Sequence, residues 1–337
     1  MSDGVDRDER DPADPGAGET AADEAAEGAD YDAVVVGGGP AGCSAAVFLA
    51  REGIEVAVFD RGRSSIARCA HLGNYLGFPG GIDVETFYDL LHDHVDRAGG
   101  TLVDDLVESV ERSGSDANGT PFRVIPQEGG PVTARRVVAA TRYDGEYLRG
   151  LDDGAAMFET HDHGGEVHEH FDREYADPDG ATPVDGLYVA SPSEADRQAI
   201  TAAGRGARVA KRVIADARVA DGWWPAAAEG VDWVRREAER EDEWADRDRW
   251  VEWFDERHAD APVDADSERF ARVREAVIDE ALSAYVDADE AESRAVEGRR
   301  ALAGHLDPGA VVDAHGAEAL LDAMDDDAIA AYAEGTP

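Results

Sequence analysis

YDAVVVGGGPAGCSAAVFLAREGIEVAVFD, residues 31–60, reads as a strand, a glycine turn, a helix and a second strand. Residues 33–36 are a short apolar run, and Gly37-Gly38-Gly39-Pro40-Ala41-Gly42 supplies G-x-G-x-x-G where such a strand must turn into a helix. Gly37 allows the tight turn, Gly39 lets the backbone approach a pyrophosphate, and Gly42 lets the helix pack closely. The helix N-terminus adds free N–H groups and a positive dipole end, which together make an anion seat. Ala45, Ala46 and Ala50 then face the sheet until Gly53 stops the helix, residues 54–59 make the second strand, and Asp60 closes it. An acidic residue about twenty positions past the glycine turn is where a ribose hydroxyl is held. A glycine turn alone can serve packing; with strand, turn, helix, strand and terminal Asp in register, this one points to dinucleotide binding.

The 337 residues are enough for two domains. Acidic residues number 75 against 32 basic ones, Lys211 is the only lysine, and the net charge is −43. Such a chain repels itself in dilute buffer, whereas molar salt shortens the Debye length to about 3 Å and removes most of that cost. The composition therefore fits a salt-adapted host, and it argues against a nucleic-acid partner. Cys43 and Cys69 lie 26 positions apart with no C-x-x-C, which excludes a disulfide framework or zinc spacing. No run approaches twenty apolar residues and no basic-then-apolar leader opens the chain, so a cytoplasmic protein with no membrane partner is expected.

Residues 1–29 carry one aliphatic side chain larger than Ala, Val5, and read as a disordered acidic tail. Past Asp60, Arg61 and Arg63 could reach adenosine or phosphate oxygens, or pair with nearby carboxylates. Residues 84–97 are an amphipathic helix with Phe87, Leu90, Leu91 and Val95 on one face, ended by Gly99-Gly100. Strands are expected over residues 102–111, 122–126 and 132–136, then over a buried run at 137–141.

YDAVVVGGGPAG, NYLGFPGGI (74–82), VVAAT (137–141), TPVDGLYVAS (182–191) and RQAITAAGRGARVA (197–210) resemble, in order, the FAD domain of the thioredoxin reductase family. The likeness covers roughly residues 31–150 and 176–216. It implies an α/β, Rossmann-like FAD-binding domain, a parallel sheet with helices in three layers, over residues 30–218. It further implies that Gly37, Gly39 and Gly42, with Gly38, Pro40 and Ala41 between them, hold the FAD pyrophosphate and that Asp60 holds the adenosine ribose. On the same resemblance Asn74 would lie beside the flavin, Thr141 near the nucleotide, and Arg197, Gln198 and Ala199 against the isoalloxazine ring; Arg61, from its place just past Asp60, is counted among the cofactor-binding candidates.

The family carries a second, NADPH-binding domain with a C-x-x-C pair inside this FAD domain, and here only a short insert at 151–180 stands in its place. The family's Asp for the ribitol chain is also absent; Glu194 or Asp196 could substitute, and Arg142 replaces the Gly expected after Ala-Thr. The insert holds His161, His163, His168 and His170, which could form two H-x-H strands joined by a Gly164-Gly165 turn. Such a cluster could bind a metal or deliver protons to the flavin, or be a solvated loop; no metal is assigned. Cys69, His161 and His163 are the candidates for catalysis, while Cys43 reads as a small core residue.

A helix over residues 194–218, with Gly204 and Gly206 permitting close packing, completes the FAD domain. The composition then changes, and residues 219–337 read as an appended all-α domain. All six tryptophans fall between 223 and 253, a stripe through Phe270, Val273, Val277, Ala281 and Ala284 marks one helix, and Asp307-Pro308 opens another. The tryptophans could be core or a binding surface. The function expected is an FAD-dependent oxidoreductase fed by diffusible NAD(P)H, a reduced small molecule or a redox protein, with homodimer formation open. The alternative is a non-catalytic FAD-binding scaffold that works through its helical domain.

Overall fold

The computed structural model describes residues 29–335 apart from 63, 115–121, 143–144, 164–165, 173 and 192–195; for residues 155, 161–163 and 166–168 it describes the backbone and not the side chains. The tail expected over residues 1–29 lies outside the described residues except at its last position, and Arg63, the 164–165 turn and Glu194 lie outside them entirely.

The quoted stretch folds as read. β1 (Tyr31–Val36) is followed by α1 (Pro40–Arg51) and β2 (Val56–Phe59). Ala33, Val34 and Val35 are wholly buried because β1 is covered on both faces, which is why an uninterrupted apolar run occurs there and not an alternating one. Next come α2 (Val84–Arg97), β3 (Thr101–Val103), β4 (Val107–Arg112), β5 (Phe122–Pro126) and β6 (Val132–Ala139). Asp83 caps α2, its side chain accepting from Thr86 N–H at 2.8 Å. After α3 (Gly154–Met157), β7 (Phe158–His163) and β8 (Glu166–Phe171), the chain returns to the sheet as β9 (Leu187–Val189) and leaves it through α4 (Ala199–Ala220).

The sheet runs β3-β2-β1-β6-β5-β4, with β9 also paired to β6. β3, β2, β1, β6 and β9 are mutually parallel, but β5 is antiparallel to both β4 and β6, so the sheet is mixed and not parallel throughout. The two strands expected at 132–136 and 137–141 are one. The first part of β6 pairs with β5, through Val132 to Ala134, and its last three residues pair with β9. A single strand is favoured because β1 runs beside nearly its whole length and fixes both parts.

One face of the sheet packs Ala45, Ala46 and Leu49 of α1 with Val209, Ala210 and Val213 of α4. The other packs Val34, Ala57 and Val137 with Phe122, Leu148 and Met157. α4 starts at Ala199, later than residue 194, and is capped by Gln198 and Thr201. Gly206 does permit close packing, since a Cβ there would lie 2.0 Å from the Ala41 carbonyl oxygen. Gly204 does not, because it faces open space.

The C-terminal region contains α5 (Pro225–Ala228), β10 (Arg235–Arg236), α6 (Arg247–Arg257), α7 (Glu268–Ser283), β11 (Tyr285–Val286), α8 (Ala288–Gly304), α9 (Pro308–His315), α10 (Ala317–Asp322) and α11 (Asp326–Ala333). It is helical except for the short parallel pair β10–β11. The stripe through Phe270, Val273, Val277 and Ala281 lies on α7, with Ala284 as its C-cap, and β11 begins directly after it at Tyr285. Asp307 caps α9 as read, accepting from Ala310 N–H at 2.7 Å. A small core of Trp224, Ala227, Phe254, Phe270 and Val273 holds α5, α6 and α7 together. Arg218 near the end of α4 ties this region back, bonding Glu52 at 2.8 Å and Glu280 at 2.9 Å. Among the described residues no helix is long and apolar enough to cross a membrane.

Candidate functional site

The carboxyl ends of β1, β2 and β6 open into a cavity of about 310 Å³. This is the position that open α/β sheets use for ligands. Gly37, Gly38, Gly39, Pro40 and Ala41 form its floor. Gly37 has φ +109°, and its N–H donates to the Phe59 carbonyl at 2.8 Å, which bends the chain out of β1. Gly39 is the N-cap of α1 and no side chain caps that end; Pro40 carries no N–H, and Gly39 and Ala41 border the cavity with their backbone. A Cβ on Gly38 would lie 2.6 Å from that of Asp60, so that position admits only bare backbone, whereas one on Gly39 would meet Ser64 Oγ at 2.8 Å, which can rotate aside. Gly42 is absent from the lining. A Cβ there would sit 1.8 Å from the Gly37 carbonyl oxygen, so it closes the turn on itself.

Asp60 lies at the end of β2 and is held by two residues that sequence reading did not single out. Tyr88 Oη donates to Asp60 Oδ2 at 2.6 Å. His92 Nε2 lies 3.2 Å from the Gly38 carbonyl oxygen and 3.4 Å from Asp60 Oδ2, two acceptors that place the ring proton on Nε2. Burial pushes the Asp60 carboxyl up, but the bonds from His92 and Tyr88 outweigh it and hold the group below the usual carboxylate range. His92 is raised, chiefly by its bond to Asp60, against a smaller opposing effect of burial. Burial and then Asp60 push the Tyr88 hydroxyl far up, so it remains a donor.

Arg61, Arg68, Arg142 and Arg197 line the cavity, a concentration of cations in a chain with so few. Arg61 donates to the side chains of Gln127 and Glu128, the latter at 3.2 Å, so carboxylate pairing is realised there while the residue still borders the cavity. Arg142, which stands where the resembled family has Gly, adds a guanidinium to the wall and reaches Ser65 Oγ at 3.4 Å. Asp105 is buried and accepts from the N–H groups of Leu106, Glu128 and Gly129 at 2.7–3.1 Å, which fixes the loop after β5 against the site.

The far wall is the start of α4, where Asp196, Arg197, Gln198 and Ala199 all line the cavity, as does Thr141 beyond β6. Thr141 Oγ1 lies 3.0 Å from Tyr147 Oη. Asn74 is outside the lining but donates to Gln198 Oε1 at 2.8 Å, so it positions a wall residue. Of the two acids considered for the ribitol chain, Asp196 is at the cavity, 3.7 Å from buried Arg205.

Cys69 is exposed and outside the lining, directly after the 3-10 turn Ser65–Arg68. Cys43 is buried, bonds the Gly38 carbonyl through Sγ at 3.1 Å, and is pushed up to about 12 by burial and then by Asp60, as suits a packed core thiol. β7 and β8 pair antiparallel with His161 opposite His168 and Glu159 opposite His170, so the two H-x-H strands exist as a hairpin. The side chains of His161, His163 and His168 lie outside the described residues, and among the described residues no group of three or more metal-binding side chains occurs.

Residues 35–85 match the NAD(P)-binding Rossmann-like domain model, the stretch from β1 through the glycine turn to the start of α2. No curated protein matches the chain. Among solved structures, a thioredoxin reductase from Gloeobacter violaceus is similar at 18% identity and TM-score 0.45, covering 61% of this chain and 98% of that one. The atypical thioredoxin reductase TRi from Desulfovibrio vulgaris Hildenborough gives 18% identity and TM-score 0.44 over 57% of this chain and 100% of that one. The thioredoxin reductase of T. acidophilum gives 17% and 0.42 over 56% and 99%. The class that topology, glycine turn and domain match define is a Rossmann-like fold carrying a dinucleotide-binding glycine motif.

Proposed function

We propose that this chain is an FAD-dependent oxidoreductase whose residues 30–218 bind the cofactor and whose electron donor arrives from solution. One observation carries the reading. A single cavity joins the uncapped N-terminus of α1 and Asp60 at one side to the start of α4 at the other. The residues fit the group. The α1 N-terminus and bare Gly38–Gly39 backbone suit a diphosphate, and Asp60, held by Tyr88 and His92, suits a ribose hydroxyl. Gln198, braced by Asn74, and Arg197 would border the ring. The bound flavin supplies hydride and electron transfer; the protein's share is to bind it, orient it and set the charge around it.

Among the described residues, the connection between β6 and β9 holds short elements, chiefly α3 and the paired strands β7 and β8. That supports a diffusible donor such as NAD(P)H. It also favours a second reading, a flavin-binding scaffold without turnover. The acidic composition supports assay in molar salt.

The test is the visible spectrum of protein purified in molar KCl, followed by anaerobic NADH, NADPH or dithionite. Absorption near about 370 and 450 nm that NAD(P)H bleaches supports the oxidoreductase. Bleaching by dithionite alone supports the scaffold or another donor, and a colourless protein that takes up no added FAD overturns both.

A further inference from the structure

A second cavity, of about 660 Å³, lies in the C-terminal region, and neither the glycine turn nor the resemblance accounts for it. Its volume is in the range of about 300–1,000 Å³ typical of small-molecule sites. Four of the six tryptophans line it, Trp233, Trp244, Trp250 and Trp253, together with Tyr285. Trp224 belongs to the Phe254 core and Trp223 packs against it, as does Trp253 from the cavity wall, so Trp253 joins core and cavity. Trp244 and Trp250 meet edge to face at 4.8 Å, as do Trp250 and Trp253 at 5.7 Å. Trp250 is fixed by donating Nε1–H to the Trp244 carbonyl at 2.8 Å.

Guanidinium groups stand over these rings. Arg235 lies 4.9 Å from the Trp233 centroid, Arg240 lies 5.3 Å from that of Tyr285, and Arg257 lies 5.9 Å from that of Trp253. All three arginines line the cavity. Arg240 is paired with Glu237 at 3.0 Å, whereas Arg235 and Arg257 form no ion pair with any described residue. In a chain with more than two acids per base, two cations left without a carboxylate at one cavity are suited to receive one from outside.

His258 supplies a third, independent feature. It is 6% exposed, lines the cavity, and accepts from Trp224 Nε1–H at Nδ1 over 3.2 Å. Nε2 therefore carries the proton, and it has no hydrogen-bond partner among the described residues. Burial, and then the charge of Arg257, lower the ring below its ordinary value and keep it a neutral donor. The acids at the cavity select against heavier anionic charge. Glu280 is engaged by Arg218, while Glu229, Glu239 and Glu241 are exposed and would repel a phosphate ester more than a single carboxylate.

We propose that this cavity binds a small planar aromatic monocarboxylate, its ring against the tryptophans and its carboxylate between Arg235, Arg257 and His258 Nε2–H. The site is remote from the dinucleotide cavity. Ala199 at the start of α4 lines the first and Arg218 near its end lines the second, a separation of about 30 Å at about 1.5 Å per residue. The ligand is thus an effector or cargo and not the molecule that would exchange electrons at the first site.

Isothermal titration of the full chain in molar KCl with benzoate and indole-3-acetate tests this, with benzamide, indole-3-acetamide and tetramethylammonium as comparison probes. The expected result is saturable binding of an acid at least about tenfold tighter than its amide, since hydrogen bonds to a charged group contribute about that much. Arg235→Gln/Arg257→Gln should remove the preference for the acid; both side chains are exposed, and an unchanged thermal midpoint shows that the fold survives. If the double variant melts early, Arg257→Gln alone should still reduce the preference by several-fold. Equal binding of acid and amide, binding of tetramethylammonium in their place, or no saturation by any probe up to about 1 mM would overturn the proposal.

Discussion

The two ends of the molecule are both rich in helix, yet they are built on opposite balances of burial and charge. Around β1, strand after strand is sealed between α1 and α4 on one face and the Phe122–Met157 side chains on the other. In the C-terminal region a core of five buried residues supports α5, α6 and α7, and no residue of α8, α9, α10 or α11 is buried. Periodicity reports which face of a helix is apolar, while stability follows how much of that face finds a partner. α1 and α4 approach until backbone touches backbone at Gly206. His305, which caps the end of α8, meets α2, its Nε2 3.0 Å from Asp93 Oδ2.

The largest effect is expected from separating the two cores. Phe254→Ala should cost about 3–5 kcal/mol, the usual loss for an emptied aromatic site, and should melt the C-terminal region while far-UV signal from the sheet persists. A single transition for the whole chain would show that the two regions share one cooperative unit. Next in size are the two glycines of α4. Gly206→Ala drives a methyl into the Ala41 carbonyl and should destabilise by about 3 kcal/mol, whereas Gly204→Ala in open space should stabilise by up to about 1 kcal/mol. Chemical denaturation in molar KCl gives both values, and equal effects would refute the packing account.

Asp60→Asn tests the first cavity. It removes the charge that His92 and Tyr88 hold, and should weaken FAD uptake by about tenfold or more with little change in the C-terminal melting step. The His92–Asp60 pair also predicts a pH dependence. His92 is raised above its unfolded value, so its contribution is full below that value, near 6.5, and is lost as pH rises through the folded one. Asp60 is lowered, so its contribution is full above its unfolded value and is lost as pH falls through the folded one. The sheet region should therefore lose stability above about pH 6.5, and His92→Gln should flatten that slope by an amount on the order of 1 kcal/mol. Thermal midpoints of both proteins across the neutral range decide it. The smallest effect expected is at the periphery. His305→Ala should change global stability by about 0.5 kcal/mol or less, while hydrogen exchange in α9, α10 and α11 should already be fast in the wild type; slow exchange there would show that these helices are covered by something.

Much of the first region was legible because its signals are local. A glycine with φ +109° at the end of an apolar strand, a proline at the first helical position and an acid at the next strand end each impose their geometry on adjacent residues. The same holds for Asp83 and Asp307, whose caps fall where the sequence places them. Tyr88 and His92 were not legible as site residues. They lie on α2, and that they reach Asp60 depends on where α2 docks against the β2 end, a matter of long-range packing. Arg61 was left with two roles, and only the fold brings Gln127 and Glu128 of the β5–β6 loop beside it. The tryptophans likewise read as one cluster, yet Trp224 sits in the core, Trp233, Trp244 and Trp250 line a cavity, and Trp253 touches both, a division set by how segments some fifty residues apart pair and pack.

The strand-turn-helix-strand unit, the acid at its end, the helical character of the C-terminal region and a charge suited to high salt were all readable before folding, since each is set by neighbours along the chain or by composition. Tertiary structure alone decided that β6 is shared by β1, β5 and β9, that Asp60 is locked by α2, that one glycine of α4 is indispensable and the other is not, and that a second cavity exists. Those outcomes depend on contacts between residues distant in sequence, whose energies appear only when the chain has closed on itself.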